Sequence, residues 1–240
     1  MYLCERSIDM KFQNLVVFFV VALFVSSPVF VTAKEKELVI GTMQEVDTSH
    51  ESFQHVQAAY QHIGYDIRLL PMPYARSFYE SNRGIILDGE LARTEVAAHQ
   101  APDMIRIPVP IDESAAAVFT NDPHFYPNDW ADLHGKRIDV LKGTSIIIGR
   151  LGDLPYNTVT TLEQAFLRLN SGRSDALIAP GSIAQEVLNN MQVSGIYRVT
   201  PDLETWLVYH YIHKRHENLV EPLTQALQQV MQHETFVAIQ

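Results

Sequence analysis

From Glu37 onward, short apolar runs alternate with amphipathic stretches, a pattern that predicts an α/β fold with largely parallel sheets. "ELVIGTM" predicts a first strand. In "ESFQHVQAAYQHIG" the apolar positions Phe53, Val56, Ala59, Tyr60 and Ile63 share one helical face, and Gly64 stands where the helix stops. "YDIRLLPM" predicts a second strand, "PYARSFYESNRG" a helix opened by proline and closed by glycine, and "IILDGEL" a third strand, which completes a βαβαβ unit. After "IPVPIDES" the alternation starts again. "AAAVFT" predicts a strand, "DWADLHGK" a short helical turn, "KRIDVLKG" a strand and "TSIIIGRL" a helix; "TLEQAFLRLNSG", "SDALIAP" and "SIAQEVLNNM" continue as helix, strand and helix. Near the end, "TWLVYHYIHK" predicts a strand, and "LVEPLTQALQQVMQ" a helix with Leu223, Ala226, Leu227 and Val230 on one face. No repeat at the level of residues and no Ser-rich or Pro-rich linker separates the two series.

The chain begins differently. Lys11 precedes an unbroken apolar run from Leu15 to Val25, followed by Ser26, Ser27 and Pro28, with small residues at Val31 and Ala33. These features predict a signal peptide over residues 1–33, a mature start at Lys34 and a periplasmic location. The run falls short of the roughly 20 apolar residues that a transmembrane helix needs, an uncleaved anchor being the alternative. Met10 before Lys11 offers a second start for translation. The leader carries two bases and two acids, so the net charge of −10 survives its removal, and that charge argues against nucleic acid as a partner. The only cysteine, Cys4, precedes the apolar run. The mature chain is therefore expected to have no disulfide and no lipid-bearing cysteine, which favours free diffusion over tethering.

The segments "DLHGKRIDVLKGTS", "TTLEQAFLRLNSGRSDALIAP" and "YHYIHKRHENLVEPLTQALQQVM" carry a family resemblance. Leu133, Gly135, Lys136, Gly143 and Thr144, followed by Ser171, Gly172, Arg173, Asp175 and Ala176, resemble the second lobe of the periplasmic solute-binding proteins of family 3, the polar amino-acid-binding type. "RGIILDGELART" matches the first lobe, and the resemblance spans essentially the whole mature chain. It implies a two-lobed periplasmic-binding-protein fold of type II, in which each lobe is a mostly parallel sheet flanked by helices and two strands form the hinge. Lobe 1 is then expected at residues 34–113 and 205–240, and lobe 2 at residues 114–204. The resemblance further implies a small-molecule ligand closed into the cleft between the lobes, a membrane ABC permease as partner, and a monomer. The family's usual anchors are missing: the carboxylate-binding Arg falls on Ala97, and the ammonium-binding Asp on Ala179 or Pro180.

Several residues can take over the binding. The turn Gly143, Thr144, Ser145 places two hydroxyls and the free amides of a helix start together, a capped helix being the plain alternative. Tyr74 and Arg76 lie between a strand end and a helix start, where open α/β sheets bind ligands. Arg76 can instead pair with Glu80. Arg93 is the preferred lobe-1 anchor, with Asp88 or Glu90 as ion-pair alternatives, and Glu45 is a further candidate for a cationic group. Asp175 fits a structural turn. Ten histidines lie beyond the leader, yet His210 and His213 alternate across a strand. No metal and no cofactor is expected. No nucleophile elbow or zincin motif is present, so no catalytic residue is assigned. The expected function is the capture of a small polar, anionic solute for an ABC importer. Two alternatives remain: a sensory module reporting to a membrane kinase or cyclase receptor, and a dehydratase-like enzyme using Glu45 or Glu113.

Overall fold

The computed structural model describes residues 36–237. The expected signal peptide, Cys4 and the Met10 start lie outside the described residues. No helix among the described residues is long and apolar enough to cross a membrane.

The first βαβαβ unit forms as its periodicity predicts. Strand β1 (Lys36–Met43) pairs in parallel with β2 (Tyr65–Met72) and with β3 (Gly89–Thr94). The crossovers are helices α1 (Glu51–His62) and α2 (Tyr74–Arg83). Helix α1 buries Phe53, Val56, Ala59 and Tyr60, the predicted face, and its first turn is capped by the His50 ring, which accepts from the Ser52 amide at 3.3 Å. Helix α2 stops at Gly84 with φ 61°, and a Cβ there would meet the His213 ring at 2.5 Å, so both the backbone and the space select glycine.

After the four-residue helix α3 (Ala97–Gln100), one long strand, β4 (Met104–Thr120), does the work of two. Its first part pairs antiparallel with β9 (Thr205–His213), which also pairs antiparallel with β3. Its last residues, Ala116 to Thr120, pair antiparallel with β7 (Ala176–Pro180). The sequence pattern predicts a strand only from Ala115, because Pro108 and Pro110 interrupt the alternation. Proline cannot donate to a ladder, and the register with β9 shifts on both sides of Pro110. The strand tolerates the prolines by bulging there.

The second sheet continues from β7 to β5 (Ile138–Leu141) and β6 (Tyr156–Val159) in parallel, with the two-residue β8 (Tyr197–Arg198) on β4. The full order is β2-β1-β3-β9-β4-β7-β5-β6. Helices α4 (Ser145–Leu151), α5 (Leu162–Asn170) and α6 (Gly181–Asn190) flank this sheet, and α7 (Val220–Val237) packs on α1 and β4. The turn predicted at "DWADLHGK" is a 3₁₀ helix over Trp130–Leu133 with a reciprocal capping box between Asp129 and Asp132.

His210, fully buried on β9, holds α1 to the first sheet. Its Nδ1 lies 3.3 Å from the Leu91 carbonyl, which only accepts, so Nδ1 carries the proton and Nε2 accepts from the Tyr60 hydroxyl at 2.9 Å. The imidazole is held neutral, and burial pushes its pKa down to about 4. An unfolded histidine takes up a proton below about pH 6.5, whereas this one resists until about pH 4. Stability is therefore complete above pH 6.5 and declines as pH falls from there toward 4, by roughly 3 kcal/mol at most. Urea unfolding at pH 7.5, 6, 5 and 4.5 should show this decline, and His210→Gln should flatten it.

Candidate functional site

The carboxyl ends of the strands in the two sheets face one another where β4 and β9 cross, the position at which open α/β sheets take ligands. A hollow of about 40 Å³ lies there, lined by Tyr74, Arg93, Gly143, Thr144 and Ser145, and also by Phe78, Gln100 and Trp206. A second hollow of about 60 Å³ is lined by Thr42, Asp112, Glu113 and Ser182. The two share Tyr74, Ser114, Pro180 and Val208 as lining. On this scale one water occupies roughly 10–15 Å³, so each hollow holds a few waters. Anything larger than a few waters does not fit either hollow as it stands.

Arg93 is the most constrained side chain in the cleft. Its Nε donates to Glu90 Oε1 at 2.8 Å, Nη2 lies 2.7 Å from the same oxygen in the ion pair, and Nη2 donates to the Tyr74 carbonyl at 2.6 Å. The guanidinium lies 3.4 Å from the centroid of the Tyr74 ring and 5.0 Å from that of Phe78. Glu90 is buried, and its other oxygen accepts from Ser77 and Ser81 at 2.6 and 2.8 Å. These serines are four residues apart on the inner face of α2, so both reach the same carboxylate. Strand β1 passes close beneath: a Cβ on Gly41 would meet Ser77 Oγ at 2.6 Å and Glu90 Oε2 at 2.9 Å. The guanidinium is thus aimed by a built cradle, and its Nη1 edge makes no bond among the described residues. That edge can receive an acceptor from a ligand.

The positions of the missing family anchors belong to this lining. Ala97 and Pro180 both face the first hollow. The hollow therefore has apolar groups at those two places, and Arg93, one residue before Thr94, lies in the same lining.

The seam between the two sheets is tight. Gly143, with φ 101°, sits against the Ala75 backbone, and a Cβ would come within 2.9 Å of Ala75 Cα. Ser145 Oγ donates to Gln100 Oε1 at 2.7 Å, while Thr144 Oγ1 donates back to the Leu141 carbonyl at 2.7 Å. Neither hydroxyl caps α4; one closes the turn and the other bridges the cleft. Glu45 lies outside both hollows. It shares a surface hollow with Glu163 and Glu186, and Oε1 accepts from the Leu162 amide at 3.5 Å. Burial raises its pKa, and Glu163 adds to that effect. Arg76 is exposed on α2 and lines neither hollow, and Glu80 pairs with Arg83 rather than with Arg76. Phe78, Gln100, Asp112 and Trp206 escape the sequence reading, since nothing local marks them. Glu113, read only as an enzyme's acid, stands in the second hollow.

His210 and His213 occupy different surroundings, the second accepting from the Arg215 amide at 3.2 Å. No group of three or more His, Cys, Asp or Glu side chains converges on one point among the described residues.

No family model matches the chain. A protein of Shewanella oneidensis described only as uncharacterized is 24% identical over 224 residues, covering 88% of this chain and 83% of that one. Among solved structures, a histidine kinase sensor domain with similarity to periplasmic binding proteins superposes with a TM-score of 0.72 at 12% identity, covering 85% of this chain and 94% of that one. The amino acid ABC transporter substrate-binding protein AbpA from Streptococcus pneumoniae, bound to L-arginine, superposes with a TM-score of 0.66 at 14% identity, covering 82% and 90%. The chain has the two-lobed periplasmic-binding-protein fold. These likenesses agree with the resemblance to solute-binding family 3.

Gly143→Ala tests the seam. The substitution places a methyl against the Ala75 backbone, a clash that parting the lobes relieves, and it strains the turn's own positive φ by roughly 1–3 kcal/mol, which parting the lobes leaves in place. Small-angle scattering should show a larger radius of gyration than for the wild type, with a melting temperature only a few degrees lower.

Proposed function

We propose that this protein is a binding protein that closes its two lobes on a small polar solute with an anionic group and delivers that solute to a membrane ABC importer. The observation that carries this reading is the pinned Arg93 guanidinium. It lines the cleft with an unengaged edge, opposite the Gly143 to Ser145 turn, while the usual anchor positions Ala97 and Pro180 are apolar. The fold supports capture by hinge closure, with the crossing of β4 and β9 near Ser114 as the hinge, lobe 1 as residues 34–113 and 205–240, and lobe 2 as residues 114–204. Removal of residues 1–33 leaves the protein in the periplasm as a monomer. Glu90 compensates Arg93, so the ligand's anionic group is bound by directed hydrogen bonds more than by net charge. Glu113 and Asp112 in the second hollow discriminate against a second anionic group at that end.

The likeness to a histidine kinase sensor domain favours one other reading, in which the same closure is reported to a membrane kinase. Uptake assays separate the two. Deleting the gene lowers uptake of the solute if the protein serves a transporter; under the sensory reading uptake is unchanged and kinase output falls.

A thermal-shift panel of free amino acids, short peptides, small carboxylates and inorganic phosphate tests the binding itself. A solute at 100 times its Kd stabilises the folded state by about 2.7 kcal/mol, so a rise of several degrees is expected for at least one anionic member. Arg93→Lys retains a charge opposite Glu90 but loses the planar fork, and binding should weaken about tenfold or more. A panel that leaves the wild-type melting temperature unchanged throughout would overturn the reading.

A further inference from the structure

The proposed function leaves one carboxylate unused, although it reaches two walls of the cleft. Glu204 lies just before β9, two residues from Trp206. Its Oε1 accepts from Trp206 Nε1 at 3.0 Å, and its two oxygens receive Arg150 as a bidentate pair, Nε to Oε2 at 2.7 Å and Nη2 to Oε1 at 2.5 Å. Trp206 lines the first hollow from the strand crossing. Arg150 stands in the last turn of α4, whose opening residues Ser145, Ile146 and Ile147 line the same hollow from the second sheet. The backbone of Glu204 is itself pinned to β4, since the Ala116 amide donates to its carbonyl at 2.8 Å and the Leu203 amide donates to Ala116 at 3.0 Å.

A surface pair of this exposure contributes little to stability. Stability therefore does not account for three directed bonds converging on one carboxylate. Geometry does. Helix α4 has only seven residues, too few to hold an orientation by its own hydrogen bonds. Across the cleft its N-terminal end is held, among the described residues, by the Ser145 to Gln100 hydrogen bond beside the packing of Gly143 on Ala75, contacts that part when the lobes open. Its other end is tied through Arg150 to the crossing strand, which remains in place.

We propose that Glu204 is a positioning residue for the ligand cleft. It sets the plane of the Trp206 indole and the tilt of α4 together, so that the Trp206 wall and the Ser145 to Ile147 wall keep one mutual geometry whether the lobes are open or closed. This inference rests on the reading of the cleft as the binding site. It assigns to Glu204 and Arg150 a role in presenting that site, without contact to the solute.

The two tryptophans of the chain, Trp130 and Trp206, make the test direct. In ¹⁵N-labelled, solute-free protein the Trp206 indole N–H signal is assigned by its loss in Trp206→Phe, and amide exchange is followed at Ile146 and Ile147. Glu204→Ala should move the Trp206 indole signal upfield and speed its exchange about tenfold. Arg150→Ala should leave the indole bond in place with a smaller shift and raise exchange at Ile146 and Ile147 about tenfold. Arg150→Lys should restore part of that protection. Melting temperatures should fall by only a few degrees in all three. Unchanged indole and amide behaviour in Glu204→Ala and Arg150→Ala would overturn the inference, as would a uniform rise in exchange across the second sheet. Because these readouts need no solute, a wild type that responds to nothing in the thermal-shift panel counts against the binding reading alone.

Discussion

Glu90 and Arg93 bury opposite charges three residues apart on one strand, and neither can lose the other without leaving an uncompensated ion in the interior. Removing one member of such a pair costs about 3–5 kcal/mol, whereas the intact pair adds little net stability. Its value lies in what it arranges. The carboxylate needs its remaining lone pairs filled, which calls for Ser77 and Ser81 on the inner face of α2. It needs room, which calls for the absence of a side chain at Gly41. The guanidinium needs acceptors, and Tyr74 supplies both a carbonyl and a ring face. Strands β1 and β3 and helix α2 are thereby locked around one polar cluster, and the cluster ends in a guanidinium edge at the mouth of the first lobe.

The second lobe meets that edge because two strands cross between the sheets. Strand β4 leaves β9 and joins β7 without a break, and β9 begins where β4 changes partner. Among the described residues these two strands run from one sheet into the other, which is the geometry a hinge between the sheets would use. The contacts across the seam include a glycine against a backbone, a hydroxyl to an amide oxygen, a carboxylate to a helix amide at the edge of hydrogen-bonding distance, and one buried apolar cluster that takes in residues of both sheets, Val46 and Leu162 among them. The stronger ties, such as Arg150 to Glu204 and Arg168 to Asp139, organise the second lobe and its attachment to the crossing strands.

A two-lobed fold of this kind serves capture and sensing alike, and solved proteins of both kinds superpose on it at low identity. Fold therefore narrows the chemistry without naming the solute. The cation in this cleft, Arg93, is paired with a carboxylate three residues before it. The lining is apolar at Ala97 and Pro180, and its charged group is a strand residue already bound to a carboxylate. A ligand bound by such a site is recognised through oriented donors and shape, with a tryptophan wall on one side and acids at the far end.

By itself the sequence determined the alternation of strands and helices, the buried faces of α1 and α7 and the glycine stops, because these follow from periodicity and turn chemistry that act over a few residues, while the two-lobed class came from the resemblance of its motifs to a known family. It also pointed to Tyr74, Arg93 and the Gly143 to Ser145 turn, since strand ends and helix starts are legible locally. Only the tertiary structure decided that Arg76, on the same helix start as Tyr74, faces solvent, and that Glu45 stands at a different hollow. Helical phase against a distant lobe set the first, and the path of one loop set the second. The length of β4 was hidden by its prolines, which the pattern treats as breaks and the paired strand absorbs as a bulge. Trp206, Gln100 and Glu204 were illegible for a related reason. Each acquires its role from a partner far along the chain, and no spacing in one dimension records which residues a crossing of two strands will bring together.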